Sequence, residues 1–110
     1  MMKILWSEDA SQDLLDIVSY IKDRSGSTMA REIYSRIQEK VKKSNSFPDS
    51  HRVAPELAEI GIAEIKEIIE SPWRIFYRIS NDEMRILSVV DGRRNVEEVL
   101  YRKIIEGKMH

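Results

Sequence analysis

The sequence predicts an α+β fold in which a helical hairpin packs on a small, mainly antiparallel sheet and a further helix ends the chain. Apolar residues recur every three to four positions between residues 8 and 43, which is the period of an amphipathic helix. Between residues 63 and 91 the period falls to two, which is typical of strands. The helical period returns after Gly92, so the expected order of elements is β-α-α-β-β-β-α.

The N-terminal half predicts a short strand, MKILWS, followed by an antiparallel pair of helices. Ser7 is the expected N-cap of the first helix, which ends before Gly26. Ser27 or Thr28 would cap the second helix, and Pro48 prevents that helix from continuing. A connection of about four residues makes the two helices antiparallel neighbours.

The C-terminal half predicts the remaining strands of a three- to four-stranded sheet. Residues 51–62 have no regular period, and residues 63–70 suit either a helix or a strand. The segment WRIFYRI alternates strongly and needs a neighbour on each side, so we predict that residues 63–70 form a strand. A turn at residues 81–83 leads to the strand MRILSVVD, and Asn95 caps the last helix.

The strand WRIFYRI divides its side chains between two faces. Arg74, Phe76 and Arg78 share one face. The other face carries the side chains that the hairpin would cover, namely Trp73, Ile75, Tyr77 and Ile79. We expect the arginine stems to cover Phe76 while the guanidinium groups pair with Glu67 or Asp91 on neighbouring strands.

The face of Phe76 also predicts an apolar groove. Ile68, Leu87 and Val89 fall on this face if the strands keep a strict period of two. A flexible partner segment could fold into such a groove with a charged rim. The C-terminal helix could cover the same face, and the groove would then be closed.

Composition excludes several classes of site. A chain of 110 residues can bury a core of its own, and we expect residues 1–110 to form one domain. Cysteine is absent and histidine occurs only at His51 and His110, so we expect no metal and no cofactor. No apolar run approaches the roughly 20 residues of a membrane span, and no signal peptide is recognisable, so we expect a cytoplasmic protein without membrane contact. The net charge of −1 lacks the basic excess of a dedicated nucleic-acid binder.

Two neighbouring arginines, Arg93 and Arg94, follow Gly92 at the end of a strand, so we expect both to be exposed. A guanidinium group binds carboxylates and phosphates equally well through paired hydrogen bonds. The candidate residues for binding a target or a protein partner are therefore Arg74, Phe76, Arg78, Arg93 and Arg94.

The segments GIAEIKEIIESPWRIFYRI and ILSVVDGRRNVEEVL, in this order of elements, resemble the ParE/RelE superfamily of bacterial toxins from type II toxin–antitoxin modules. The chain is most similar to the ParE-like, plasmid-stabilisation branch, which has similar residues at Phe47-Pro48, at PEL 55–57 and at GRR 92–94. The resemblance covers residues 3–105. It implies a toxin that inhibits DNA gyrase without a chemical step of its own. It also implies a cognate antitoxin that neutralises the toxin in a hetero-oligomer.

The RelE-like branch offers an alternative function, that of a ribosome-dependent mRNA endonuclease. Cleavage without a metal needs a base, an acid and cations for the developing phosphorane charge. The resemblance places the two arginines of that branch at Arg74 and at Arg94, or at Arg93. With Tyr101, Arg74 and Arg94 form the candidate nuclease site.

The remaining catalytic positions of the RelE-like branch are not kept. Its two strand lysines fall on Ile65 and Glu67, and its tyrosine falls on Leu100, next to Tyr101. His51 is the only other ring available in the chain for proton transfer. We therefore expect no enzymatic activity of the RelE type. A third hypothesis is a member that binds its antitoxin without being toxic.

Overall fold

The computed structural model describes residues 1–110 and confirms the predicted α+β fold. The elements are β1 (Lys3–Trp6), α1 (Glu8–Ser25), α2 (Ser27–Ser44), α3 (Pro55–Ala58), β2 (Lys66–Glu70), β3 (Trp73–Ser80), β4 (Glu83–Asp91) and α4 (Val96–Ile105). The four strands form one sheet in the order β1-β4-β3-β2, in which only the β1–β4 pair is parallel. None of the helices combines the length and the apolar character that a membrane span requires.

The helical hairpin turns more sharply than predicted. Ser7 caps α1 as expected, since its side chain accepts a hydrogen bond of 3.0 Å from the backbone of Ala10. The connection to α2 is Gly26 alone, with φ of 92° and ψ of 169°, a conformation that is essentially restricted to glycine. Ser27 and Thr28 therefore lie inside the first turn of α2, and the prediction that one of them caps this helix is wrong.

The β3–β4 hairpin is closed by two residues, Asn81 and Asp82, whose φ angles are 52° and 60°. Positive φ at both positions is the requirement of the tight turns that match the twist of antiparallel strands. Asn and Asp tolerate this conformation better than other residues with a side chain. Glu83, predicted as part of the turn, already belongs to β4.

A β-bulge in β4 changes which side chains face the hairpin. Phe76 pairs with Ser88 and Tyr77 pairs with Ile86, so Leu87 is an extra residue on β4. The alternation is reset there, and Val89 packs towards α1 and α2 whereas Leu87 packs towards α4. The prediction that Leu87 and Val89 share one face is therefore wrong.

Two apolar cores lie on opposite faces of the sheet. The first core lies between the sheet and the helices α1 and α2, and it includes Ile68, predicted on the opposite face, together with Ile37 and Ile75. The second core lies under α4 and α3 and includes Phe76, Leu87, Leu57 and Leu100, which are all fully buried. Because α4 covers this face, the predicted apolar groove is closed.

Candidate functional site

The turn after β4 presents the paired arginines in a fixed conformation. The backbone N–H of Gly92 donates to the carbonyl of Pro72 at 2.7 Å, and a Cβ at this position would come within 2.9 Å of the same oxygen. Only glycine fits this approach without a shift of the backbone. Asp91 Oδ1 accepts a hydrogen bond of 2.9 Å from the backbone N–H of Arg93, which holds the turn from its other side.

The two arginines of the turn differ in their partners. The guanidinium of Arg93 donates to both carboxylate oxygens of Asp91, at 3.0 and 2.7 Å, although 75% of its side chain is exposed. These hydrogen bonds hold the pKa of the Asp91 carboxyl below its usual value. The side chain of Arg94 is exposed and makes no hydrogen bond or ion pair. Arg94 is therefore the cation that remains available to a partner.

Arg94 stands at the rim of a groove of 370 Å³ between α1 and the end of the sheet. We call it the Arg94 groove, and its lining residues are Asp13, Asp16, Ile17, Tyr20, Ile21, Trp73, Val89, Asp91, Arg93 and Arg94. Apolar and aromatic side chains form its walls, with carboxylates on α1 and guanidinium groups on the turn. Tyr20 is 60% exposed here.

Sequence reasoning missed the α1 wall of this groove. Asp13, Ile17 and Tyr20 lie three to four residues apart and therefore share one face of α1. That spacing was a usable signal for a mixed apolar and charged helix face. Nothing in the sequence, however, shows that this face lies next to Arg94.

The guanidinium of Arg74 is hydrogen-bonded to two carboxylates of the same protein. Its guanidinium donates to both oxygens of Glu56, at 2.6 and 2.8 Å, and to Glu67. It also lies over the ring of Phe76, with 5.1 Å from Cζ to the ring centroid. The predicted pairing of Arg74 with Glu67 and its cover of Phe76 are both present in the structure. These two carboxylates raise the pKa of Arg74 and balance its charge.

The other predicted binding residues have different surroundings. Phe76 is fully buried beneath α4, so in this structure it is a core residue and offers no surface to a partner. Arg78 is half-buried on the same face of β3 and makes no ion pair. Of the predicted set, Arg78, Arg93 and Arg94 therefore reach solvent.

The three residues of the candidate nuclease site do not line one cavity. Tyr101 lines a cavity formed by α4 alone and its cap, whereas Arg94 lines the Arg94 groove and Arg74 is held by Glu56 and Glu67. Partial burial and nearby carboxylates raise the pKa of Tyr101, which makes its hydroxyl a weaker acid and leaves it protonated at neutral pH.

A cluster of ion pairs that the sequence did not reveal joins α4 to the rest of the fold. The Nζ atom of Lys103 lies 2.6 Å from Asp9 Oδ2, 2.6 Å from Asp13 Oδ2 and 2.8 Å from the hydroxyl of Ser88. Asp9 and Asp13 are four residues apart and share a face of α1, but their partner is about 90 residues away in sequence.

His51 is held in place by a contact with the sheet. Its Nδ1 lies 3.0 Å from the hydroxyl of Tyr77, which in turn donates to the carbonyl of Pro48. Burial lowers the pKa of His51, and the charges of Lys40 and Lys66 lower it further. The ring therefore ties the loop after α2 to the sheet.

Comparison with known proteins identifies the family. A family model described as "ParE toxin of type II toxin-antitoxin system, parDE" matches residues 4–96. The chain is 23% identical over 103 residues to the toxin ParE3 of Caulobacter vibrioides, covering 94% of this chain and 99% of that one. Its fold is similar to a solved chain titled "Chromosomal ParDE TA system from P. aeruginosa", with a TM-score of 0.69 and 22% identity over 83% of this chain and 96% of that chain.

The extent of the family match settles the assignment, because it includes both helices of the hairpin, all of the sheet except Lys3, and the paired-arginine turn. The resemblance inferred from the sequence is thereby confirmed. The chain belongs to the ParE toxin family of type II toxin–antitoxin systems.

Proposed function

We propose that residues 1–110 act as one toxin domain that inhibits DNA gyrase and is neutralised by a bound cognate antitoxin. The observation that carries this proposal is the match of the ParE toxin family model to residues 4–96. The similarity to toxin ParE3 over nearly the full length of both chains supports it. From the chemistry of the surface we assign different regions to the target and to the antitoxin.

The Arg94 groove is the surface we assign to the target. It combines an unpaired guanidinium with the exposed ring of Tyr20, and protein interfaces concentrate their binding energy in Arg, Tyr and Trp. The turn that carries Arg94 is fixed by Gly92 and Asp91, so little conformational freedom is lost when a partner binds.

The hairpin surface beside β1 is the region we assign to the antitoxin. Apolar side chains surround a cavity of 310 Å³ between the two helices, and the largest of them are Trp6, Leu14, Leu15, Val18 and Tyr34. Leu15 is 56% exposed and Tyr34 is 46% exposed. An amphipathic segment of an antitoxin could bury these side chains in the helix-in-groove mode. We therefore assign the antitoxin to this surface instead of to the groove beside Phe76, which α4 covers.

The geometry does not favour the nuclease alternative. A phosphorane needs cations whose charge is free, and the charge of Arg74 is balanced by Glu56 and Glu67. The strand position expected to carry a lysine is the buried Glu67, which is paired with Arg52 and Arg74 and supplies no cation. We therefore assign no catalytic residue.

Pulse labelling after induced expression tests the proposal, with thymidine and methionine incorporation followed in parallel. We expect DNA synthesis to fall first while translation continues. Arg94→Ala should delay this fall, whereas Arg31→Ala, which removes an exposed arginine of α2 that makes no ion pair, should not. An earlier fall in translation would instead support ribosome-dependent cleavage, and absence of arrest would support a non-toxic antitoxin binder.

A further inference from the structure

A second group of cations lies at the C-terminal end of α2 and shares no residue with the Arg94 groove. Lys40, Lys43 and His51 line a solvent-open cavity of 170 Å³ together with Ser44, Phe47 and Ser50. Lys66 approaches from β2, and its Nζ donates to the backbone carbonyls of His51 at 3.1 Å and Asp49 at 3.4 Å. We call Lys40, Lys43, Lys66 and His51 the α2-end cluster.

The three lysines of the α2-end cluster form no ion pair. Six lysine and arginine side chains elsewhere form ion pairs with the carboxylates of other elements or turns, but Lys40, Lys43 and Lys66 have no carboxylate within 4.0 Å. The charges of Lys40 and Lys66 lower the pKa of the enclosed His51. An anion bound in the cavity would relieve this mutual repulsion.

The exposed aromatic ring of Phe47 lies beside these cations. Phe47 is 71% exposed at the rim of the cavity, although a phenyl ring gains free energy from burial. The ring of His51 offers a further contact, because its Nδ1 is engaged by the hydroxyl of Tyr77. The other ring nitrogen, Nε2, makes no hydrogen bond to the protein.

We propose that the α2-end cluster binds a single-stranded nucleic acid, with a backbone phosphate between Lys40, Lys43 and His51 and a base stacked on Phe47. Cations that follow the backbone and an exposed aromatic ring for the bases are the two components of single-strand binding sites. A peptide of acidic residues alone, such as polyglutamate, would use the cations but has no ring to stack on Phe47. The proposal is independent of gyrase inhibition, since it concerns the purified toxin alone.

Fluorescence anisotropy of the full-length protein tests this site, with a labelled oligothymidylate of about a dozen nucleotides as the probe. We expect Lys43→Glu to weaken binding roughly tenfold and to reduce the slope of log affinity against log salt by about 0.7. Lys22→Glu is the matched control, since Lys22 is also exposed, unpaired and in the last turn of its helix, α1. It should change the affinity less than about twofold.

The aromatic contact has its own test. Phe47→Ala should weaken binding of the oligonucleotide roughly fivefold or more, since base stacking contributes strongly in such sites. The dissociation constant of inorganic polyphosphate, measured by competition with the labelled oligonucleotide, should stay unchanged, because polyphosphate has no base. Tyr34→Ala, which removes an exposed ring from the hairpin surface, is the control and should have no effect.

Proton linkage gives an independent readout. His51 is faced by Lys40 on α2, Lys66 on β2 and Tyr77 on β3, with Asp49 close to Tyr77. Burial and the two lysines lower the pKa of His51 below the ordinary 6.5. A bound phosphate favours the protonated ring, so affinity should rise as the pH falls from about 7.5 to about 5.5. His51→Gln should remove most of this rise.

Three results would overturn the proposal. Equal losses of affinity for the oligonucleotide in Lys43→Glu and Lys22→Glu would mean that binding depends only on the overall charge of the protein. Displacement by polyglutamate as effective as displacement by oligothymidylate would mean that the cluster recognises acidic peptides. No binding at about 0.1 M salt, with the circular dichroism spectrum unchanged, would mean that the cations have no nucleic-acid ligand.

Discussion

The five arginines between residues 74 and 94 look alike in the sequence, but their surroundings give them different roles. Arg74 is mostly buried and is bound by Glu56 and Glu67, so it stabilises the fold. Arg94 is exposed without a partner, so it is available for binding. The pairing with Glu67 could be predicted because both residues lie on one sheet face. Glu56 could not, since it belongs to a segment without a regular period.

Removal of Arg74 should destabilise the protein strongly. Arg74→Ala leaves Glu67 buried with only the exposed Arg52 as its partner, and we expect a loss of about 3 kcal/mol in the free energy of unfolding. Arg78→Ala, on the same face of β3, removes no ion pair and should cost less than about 0.5 kcal/mol. Urea denaturation measures both, and equal small losses would contradict this role of Arg74.

The Glu56–Arg74 pair also predicts a pH dependence. Hydrogen bonds from Arg74 lower the pKa of Glu56 in the folded state. A lowered pKa contributes stability above the unfolded value of about 4.3, and this contribution is lost as the pH falls through the folded value. The free energy of unfolding should therefore fall below about pH 4.5 less steeply in Glu56→Gln than in the wild type. If the free energy of unfolding falls with pH equally steeply in the two proteins, Glu56 does not contribute to the pH dependence.

At the scale of elements, the period of the apolar residues predicted α1, α2, β3 and α4, which repeat those residues regularly. The strand β2 was predicted only because β3 needs a neighbour on each side, since the period of residues 63–70 suits a helix as well. The short α3 was missed because four residues show no period. The two faces of β4 were assigned wrongly after Leu87, because a bulge depends on the partner strand and leaves no mark in a strict alternation. The contact between α4 and α1 could not be predicted either, because Lys103 and its partners Asp9 and Asp13 lie about 90 residues apart in the sequence.

The Lys103 cluster should hold α4 in place. Lys103→Ala leaves Asp9 and Asp13 without their shared cation, and both carboxylates are more than four-fifths buried. We expect amide hydrogen exchange in α4 (Val96–Ile105) to accelerate at least about tenfold relative to β3. Arg102→Ala removes only an exposed ion pair within α4, that with Glu98, and is the control. Uniform acceleration in all elements would indicate global destabilisation instead.

At the scale of the whole molecule, the sheet has apolar cores on both faces, so binding surfaces must lie at its edges and on the outer side of the helices. The Arg94 groove and the hairpin surface are lined by different residues. A substitution in one surface should therefore change the binding of its own partner and leave the binding of the other partner intact. The sequence predicted the arginines of the first surface. It did not predict the second, because the exposure of Leu15 depends on how the helices pack.

The separation of the two surfaces can be tested by neutralisation. Leu15→Glu should leave toxicity intact but weaken rescue by the co-expressed antitoxin, because it places a charge in the apolar hairpin surface. Met29→Glu is the matched control, since Met29 is also exposed and lies outside that cavity. Normal rescue of the Leu15→Glu toxin would show that the antitoxin binds elsewhere.

Supercoiling of relaxed plasmid by purified gyrase, with ATP and increasing amounts of this protein, tests the central claim most directly. We predict that the wild-type protein inhibits supercoiling and that Arg94→Ala requires roughly tenfold more protein for the same inhibition, as expected for a central interface arginine. Arg31→Ala should behave as the wild type. Full supercoiling at saturating wild-type protein, with mRNA cleavage on purified ribosomes, would contradict the account.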